Sequence, residues 1–418
     1  MKILLKNATI IHAQSPFHNQ QKDILIDTGK IVSIEDHIED QTAKSLQLEQ
    51  LHVSTGWFDP NVSFGEPGYE ERETIANGLA TAAKSGFTSI VLNPNTLPLV
   101  DSFADVSNLI NQGKNHTTQL LVSGMLSEGG LGQQMASLSD MHQAGAVAFG
   151  DFKQSLDNPN LLRIALDYVQ TFDGLILAYP IDSHLSNHGQ MHEGKTSTHL
   201  GIRGIPRIAE TATLARDLQI LEYTGGKLHI PFISCAESVA LIAAAKKKGL
   251  NVSCGVGIPH LFYTDAVLAD FDAVYKINPP LRSNEDRQAL REGLLEGTID
   301  MVTSIHQPIN IEYKQLEFEN ALEGSIGLET AFGVLNGIFT LEKTIAFLTR
   351  GKKRFGLGES KIEVGAAADL SLFNPKKRFT LQQKQLHSSS KNCMFIDALL
   401  KGISHGAIYH NALTLNHD

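Results

Sequence analysis

Asn61 and Ser63 stand two residues apart in GWFDPNVSFGEPGYEERETI, the stretch that runs from Gly56 to Ile75. In an extended strand, side chains two apart point the same way, so this pair aims at one spot. Two histidines at that spacing would grip a metal. An amide and a hydroxyl are neutral and bind divalent transition metals poorly, so either a metal sits elsewhere or there is none. The stretch reads as an apolar strand end that breaks at Asp59-Pro60 and resumes as a helix with an acidic first turn.

The elements that must position such a pair recur along the chain. From about residue 52 to 350, short apolar runs alternate with amphipathic segments, the pattern of parallel strands wrapped by helices. Eight candidate strands begin at Val53, Thr88, Thr118, Gly145, Gly174, Lys227, Asn251 and Ile299. Helical segments from Arg207 and Ala236 each close on a glycine, which suits a helix C-terminus. The fold class is α/β, and eight such units predict a (β/α)8 barrel with its reactive groups at the C-terminal ends of the strands. Residues 1–11, 24–34 around the turn DTGK, and 361–375 alternate as strands instead. The expected organisation is a small β-sandwich domain built from both termini, residues 1–52 and 351–418, beside a barrel over 53–350.

These strands list the barrel mouth: Asn61 and Ser63, Asn93 and Asn95, Asp151, Tyr179 and Asp182, Phe232 and Ser234, His260, then Ile305 and His306. The mouth is polar but poor in metal ligands. A catalytic zinc wants three histidine, carboxylate or cysteine ligands converging on one point, and Asp151 is the one convincing carboxylate.

The chain has 418 residues, 42% hydrophobic and 19% charged, enough for one large core and a satellite domain. Its formal net charge of −10 argues against a nucleic-acid partner, which would draw affinity from clustered Lys and Arg. The basic patch GKKRF, Gly351 to Phe355, reads as a solvated loop. Cys235, Cys254 and Cys393 match neither a zinc knuckle nor a disulfide framework and read as reduced thiols in a cytoplasmic protein. The opening MKILLKNATII is too short and mixed for a signal peptide, no apolar run reaches bilayer-crossing length, and the two Asn-X-Ser sequons read as chance matches.

Seven motifs, in order, carry a resemblance: EPGYEERETI, NPNTLP, GAVAFGD, MHEGKTSTHLGIRGIPRIAE, KINPPLRSNEDRQAL, GTIDMV and GSIGLETA. Together they resemble the dihydroorotases of the bacterial type, within the amidohydrolase superfamily, through almost the whole chain. The resemblance implies a zinc-bearing barrel that interconverts N-carbamoyl-aspartate and dihydroorotate in pyrimidine synthesis. It also implies six metal-site positions, which here hold Asn61, Ser63, Asp151, Tyr179, Phe232 and Ile305. Only Asp151 could ligate, and Ile305 stands where the family has an aspartate that is both ligand and proton shuttle. Gly65 replaces the arginine that clamps the substrate carboxylate, whereas Asn95, Asn278 and His306 match positions that touch substrate.

The expectation is therefore a zinc site retired and repacked, with the Tyr179 and Phe232 rings in the vacated volume, and no cofactor or catalytic residue assigned. Asp151 reads as a former bridge now hydrogen-bonded to neighbours, His306 as a satisfied structural group, and Asn278 as the brace of a turn. His184, His188, His192 and His199 lie in a glycine-broken loop and do not imply a shared face. The leading reading is a non-catalytic homologue acting as a homo-oligomeric scaffold for aspartate transcarbamoylase. An active dihydroorotase with a rebuilt site, and a sensor binding carbamoyl-aspartate or dihydroorotate without converting it, remain open.

Overall fold

The computed structural model describes residues 1–416. Eight strands are joined in one parallel sheet in the order of the chain: Trp57–Val62, Phe87–Leu92, Gln119–Gly124, Ala146–Phe149, Ile176–Leu177, Leu228–Ile230, Val252–Gly257 and Met301–Thr303. Each falls within or overlaps one of the eight apolar runs. The barrel closes between its first and eighth strands through a side chain and a backbone bond. Buried Asp59 accepts hydrogen bonds from Thr303 Oγ1 at 2.7 Å and Ser304 N at 2.8 Å, and Ser63 N donates to the His306 carbonyl at 2.8 Å.

The stretch around Asn61 departs from expectation twice. The strand runs on to Val62 rather than ending at Asp59-Pro60, although its pairing with the second barrel strand is interrupted between Asp59 and Val62. The following helix, Ile75–Lys84, has no acidic first turn; Thr74 caps it, and the acidic residues lie ahead of it, with Glu66 Oε2 accepting from Ile75 N at 2.8 Å.

The termini do assemble together. Strands Lys2–Ile10, Gln21–Asp27, Lys30–Glu35, Lys44–Leu46, His52–Thr55, Asp369–Thr380, Leu399–Tyr409 and Ala412–Leu415 form one mixed sheet. Thr28 (φ 47°) and Gly29 (φ 77°) make the tight turn between Gln21–Asp27 and Lys30–Glu35, the left-handed pair that matches strand twist. The third contribution begins at Asp369, later than the run from residue 361 suggested.

The run from Val53 is shared between the two sheets. His52–Thr55 pairs in the terminal sheet, Trp57 opens the barrel, and Gly56 is the joint. A Cβ on Gly56 would lie 1.9 Å from Asp369 Oδ1 and 2.0 Å from Thr88 Oγ1, so no side chain fits at this crossing. Trp57 is fully buried at the seam, its ring stacked on Phe332 at 4.8 Å with Phe373 at 5.4 Å. The patch GKKRF is not a solvated loop. It forms a short helix in which Lys352 and Phe355 are buried, Lys352 pairing with Asp369 at 2.6 Å and Arg354 donating to the Leu228 carbonyl at 2.7 Å.

Helix Ala236–Lys247 shows why the barrel's outer layer forms. It is rich in alanine, carries Glu237 in its first turn and Lys246 and Lys247 in its last, and packs Ile242 and Ala245 inward. Gly249, at φ 84°, turns the chain back toward the seventh strand.

Candidate functional site

At the mouth, Asn61 and Ser63 do point to one place, and what they meet is a chain of neutral hydrogen bonds. Asn93 Nδ2 donates to Asn61 Oδ1 at 3.1 Å and to Ser63 Oγ at 3.0 Å, and Ser63 Oγ donates to Asn95 Oδ1 at 3.1 Å. Across the barrel, Asn61 Nδ2 donates to the Tyr179 hydroxyl at 3.1 Å. Burial holds that phenol well above its ordinary pKa, so it stays protonated. The Tyr179 ring sits edge-on to Phe232 and to Phe152, each at 5.6 Å, and all of Asn61, Ser63, Tyr179 and Phe232 are buried.

Asp151 turns away from this chain. Its Oδ1 accepts from Leu126 N and Ser127 N, both at 3.0 Å, and its Oδ2 accepts from the Ser127 hydroxyl. Burial raises its pKa despite those donors. The cavity it shares with Tyr179, Gln154 and Asp217 has a volume of about 10 Å³, room for about one water. Ile305 lies at the mouth with φ 48°, a left-handed backbone that a β-branched residue rarely takes, its N–H donating to Thr303 Oγ1 at 3.0 Å.

The other expected residues are divided. His306 is buried; its Nδ1 accepts from Gly327 N at 3.3 Å, while Nε2 meets no partner, and burial lowers its pKa to about 3. It is thus only half satisfied. Asn278 likewise has a buried Oδ1 without a partner, so bracing a turn does not account for it. His260 pairs through Nε2 with the Pro279 carbonyl at 2.9 Å and leaves Nδ1 unpaired. Ser234 does not serve the mouth: its N–H donates to Glu210 Oε1 at 2.9 Å and its hydroxyl accepts from Arg282 Nε at 2.7 Å, beneath a fully buried Glu210–Arg282 pair. Asp182 caps the short helix Ser183–Ser186, accepting from Leu185 N at 2.8 Å.

The histidine-rich stretch is not all loop, since it holds that helix and Lys195–Leu200, but it gathers no site. His192 is buried against Arg282 at 3.2 Å. Sequence reasoning missed Lys153 altogether. Two residues past Asp151, its buried ammonium reaches across the mouth to Gln307 Oε1 at 2.6 Å, with its pKa lowered to about 8 by burial. Its place just beyond a strand end was the available signal.

These donors do not fit the zinc that the resemblance implies. Asn61, Ser63 and Tyr179 offer neutral groups already engaged with one another, Phe232 and Ile305 offer none, and Asp151 is occupied by three donors. Among the described residues, no three His, Cys, Asp or Glu side chains are grouped so as to hold a metal. Gly65 leaves no space for a clamp, because a Cβ there would sit 1.8 Å from the Tyr69 carbonyl oxygen.

Residues 53–238 match the family model described as dihydro-orotase-like. The chain is 36% identical over 410 residues to a dihydroorotase of Pelotomaculum thermopropionicum, covering 96% of both chains. It is 36% identical over 412 residues to one of Syntrophus aciditrophicus, again 96% of each. The chain belongs to the dihydroorotase family. Solved structures extend this family's fold to an L-hydantoinase (dihydropyrimidinase) from Arthrobacter aurescens, with a TM-score of 0.85 at 22% identity over 98% of this chain and 95% of that one. A dihydropyrimidinase from Brevibacillus agri follows at 0.83 and 21% identity, over 99% and 95%. Dihydroorotase-family membership thus rests on sequence and the barrel architecture on structure. Among the described residues no helix is long and apolar enough to cross a membrane.

Proposed function

We propose that this dihydroorotase-family protein performs no zinc-dependent hydrolysis at its mouth and works by binding, as a scaffold in pyrimidine biosynthesis whose partner is aspartate transcarbamoylase. The observation that carries the reading is the bond from Asn61 to Tyr179, which links two would-be ligand positions directly to each other. Bound zinc brings the pKa of water from about 15.7 to about 7, and without it the hydroxide available at neutral pH falls by roughly eight orders of magnitude. Ile305 cannot carry a proton, and the Asp151 carboxylate is already engaged by Leu126 N, Ser127 N and the Ser127 hydroxyl.

A second reading is favoured by the relatives, which are named dihydroorotase at 33–36% identity over 96% of this chain. In that reading the protein interconverts N-carbamoyl-aspartate and dihydroorotate through a rebuilt site. One experiment separates the two. The purified protein is analysed for zinc and then assayed in both directions with zinc added. Turnover above the uncatalysed rate together with stoichiometric metal establishes the second reading; neither leaves the binding role. Co-purification with aspartate transcarbamoylase tests the partner.

A further inference from the structure

The segments that follow the seventh and eighth barrel strands pack against each other at the mouth end, where Leu268, Ala273, Phe318 and Ala321 share a small core with Met191 and Ile202. Two buried lysines lace them together. The Lys314 ammonium donates to the Ala273 and Lys276 carbonyls, both at 3.0 Å, and the Lys276 ammonium donates to the Phe318 and Glu319 carbonyls at 2.8 and 3.1 Å. With both cations turned inward, the exposed charges of these two segments are one-signed. Over residues 269–272 and 311–322 the exposed charged residues are Asp270, Asp272, Glu312, Glu317 and Glu319, and no exposed residue there is basic.

Among these acids, four large apolar side chains stand in solvent: Phe271, Tyr313, Leu316 and Leu322. Phe271 is 47% exposed and is held at φ 59°, a left-handed conformation that is unfavourable for a bulky residue. A strained backbone that keeps an aromatic ring in water gains nothing for the isolated chain. Apolar patches rimmed by charge mark interaction surfaces, and aromatic residues are favoured at their centres.

We propose that this face docks a partner protein whose own contact patch is apolar at the centre and ringed by Lys and Arg. A second copy does not fit, since an isologous contact would set five carboxylates against the same five. The proposal rests on the binding role proposed above and names the surface that performs it.

The test mixes the full chain with purified aspartate transcarbamoylase from the same organism and follows sedimentation at low and high salt. Phe271→Gly removes the ring at a backbone angle glycine prefers, and Glu317→Lys with Glu319→Lys reverses exposed charge, so both variants keep their fold. The expected result is a wild-type complex that loosens as salt rises, and about tenfold or greater weakening by each variant. Variants that bind as the wild type does overturn this surface and leave the partner standing. If the wild type itself forms no complex, the partner is wrong and the surface falls with it. Self-association of the isolated chain that Phe271→Gly abolishes assigns the face to a second copy and also overturns the proposal.

Discussion

Asn61, on the first barrel strand, donates its amide hydrogen to the Tyr179 hydroxyl beyond the end of the fifth, at 3.1 Å across the barrel. This bond ties opposite sides of the mouth. Tyr179→Phe leaves the buried Asn61 N–H unpaired and should cost about 1–3 kcal/mol in urea unfolding. Combined with Asn61→Ala, the loss should fall short of the sum of the single changes by about 1 kcal/mol. Full additivity would mean that the bond contributes nothing.

Asp151 should prove structural. Asp151→Ala strands two backbone N–H groups, those of Leu126 and Ser127, and should destabilise by about 2–4 kcal/mol. Treatment of the wild type with a strong chelator should leave its melting temperature unchanged. A drop on chelation, restored by zinc, would count decisively against the proposed reading.

Buried histidines set an acid limit. His306 and His260 have folded pKa values lowered to about 3 and about 4, chiefly by burial. For a base with a depressed folded pKa, the unfolded chain binds the extra proton first. The stabilisation is therefore complete above an unfolded value of about 6.5 and is lost as pH falls toward those folded values. His306→Gln, whose amide can still accept from Gly327 N, should flatten the fall in stability between pH 6.5 and 4, measured by urea midpoints. An unchanged slope would place the acid limit in other groups.

Gly56 should be intolerant. Gly56→Ala drives a Cβ to 1.9 Å from Asp369 Oδ1 and 2.0 Å from Thr88 Oγ1, so these buried side chains must give way at the joint. We expect a loss of about 2 kcal/mol or more, with the Trp57 fluorescence shifted to the red as the seam admits water. A melting temperature equal to that of the wild type would show that the joint yields freely.

Much of the architecture was legible because the barrel strands are buried on both faces and read as apolar runs, even where the paired portion is as short as Ile176–Leu177. The positions of Asn61, Ser63, Asp151, Tyr179 and Phe232 followed from those runs. The joint at Gly56 did not, because apolar residues on either side of it serve different sheets and carry the same signal. Nor did the partners of the polar groups. Ser234 lies where a mouth residue should, yet its hydroxyl serves Glu210 and Arg282, which are 24 and 48 residues away. Lys153 looks like a surface lysine in sequence, and only its reach to Gln307, 154 residues on, makes it a strut across the mouth.

The left-handed turn at Ile305 is imposed by its surroundings, with Thr303 gripping both the Ile305 amide and the barrel closure at Asp59. Isoleucine is an unwilling tenant of that geometry, which asparagine and aspartate occupy far more readily. An acid placed at 305 would therefore find its backbone already prepared, and installing a proton carrier there would demand less remodelling than clearing the space held by the rings of Tyr179 and Phe232.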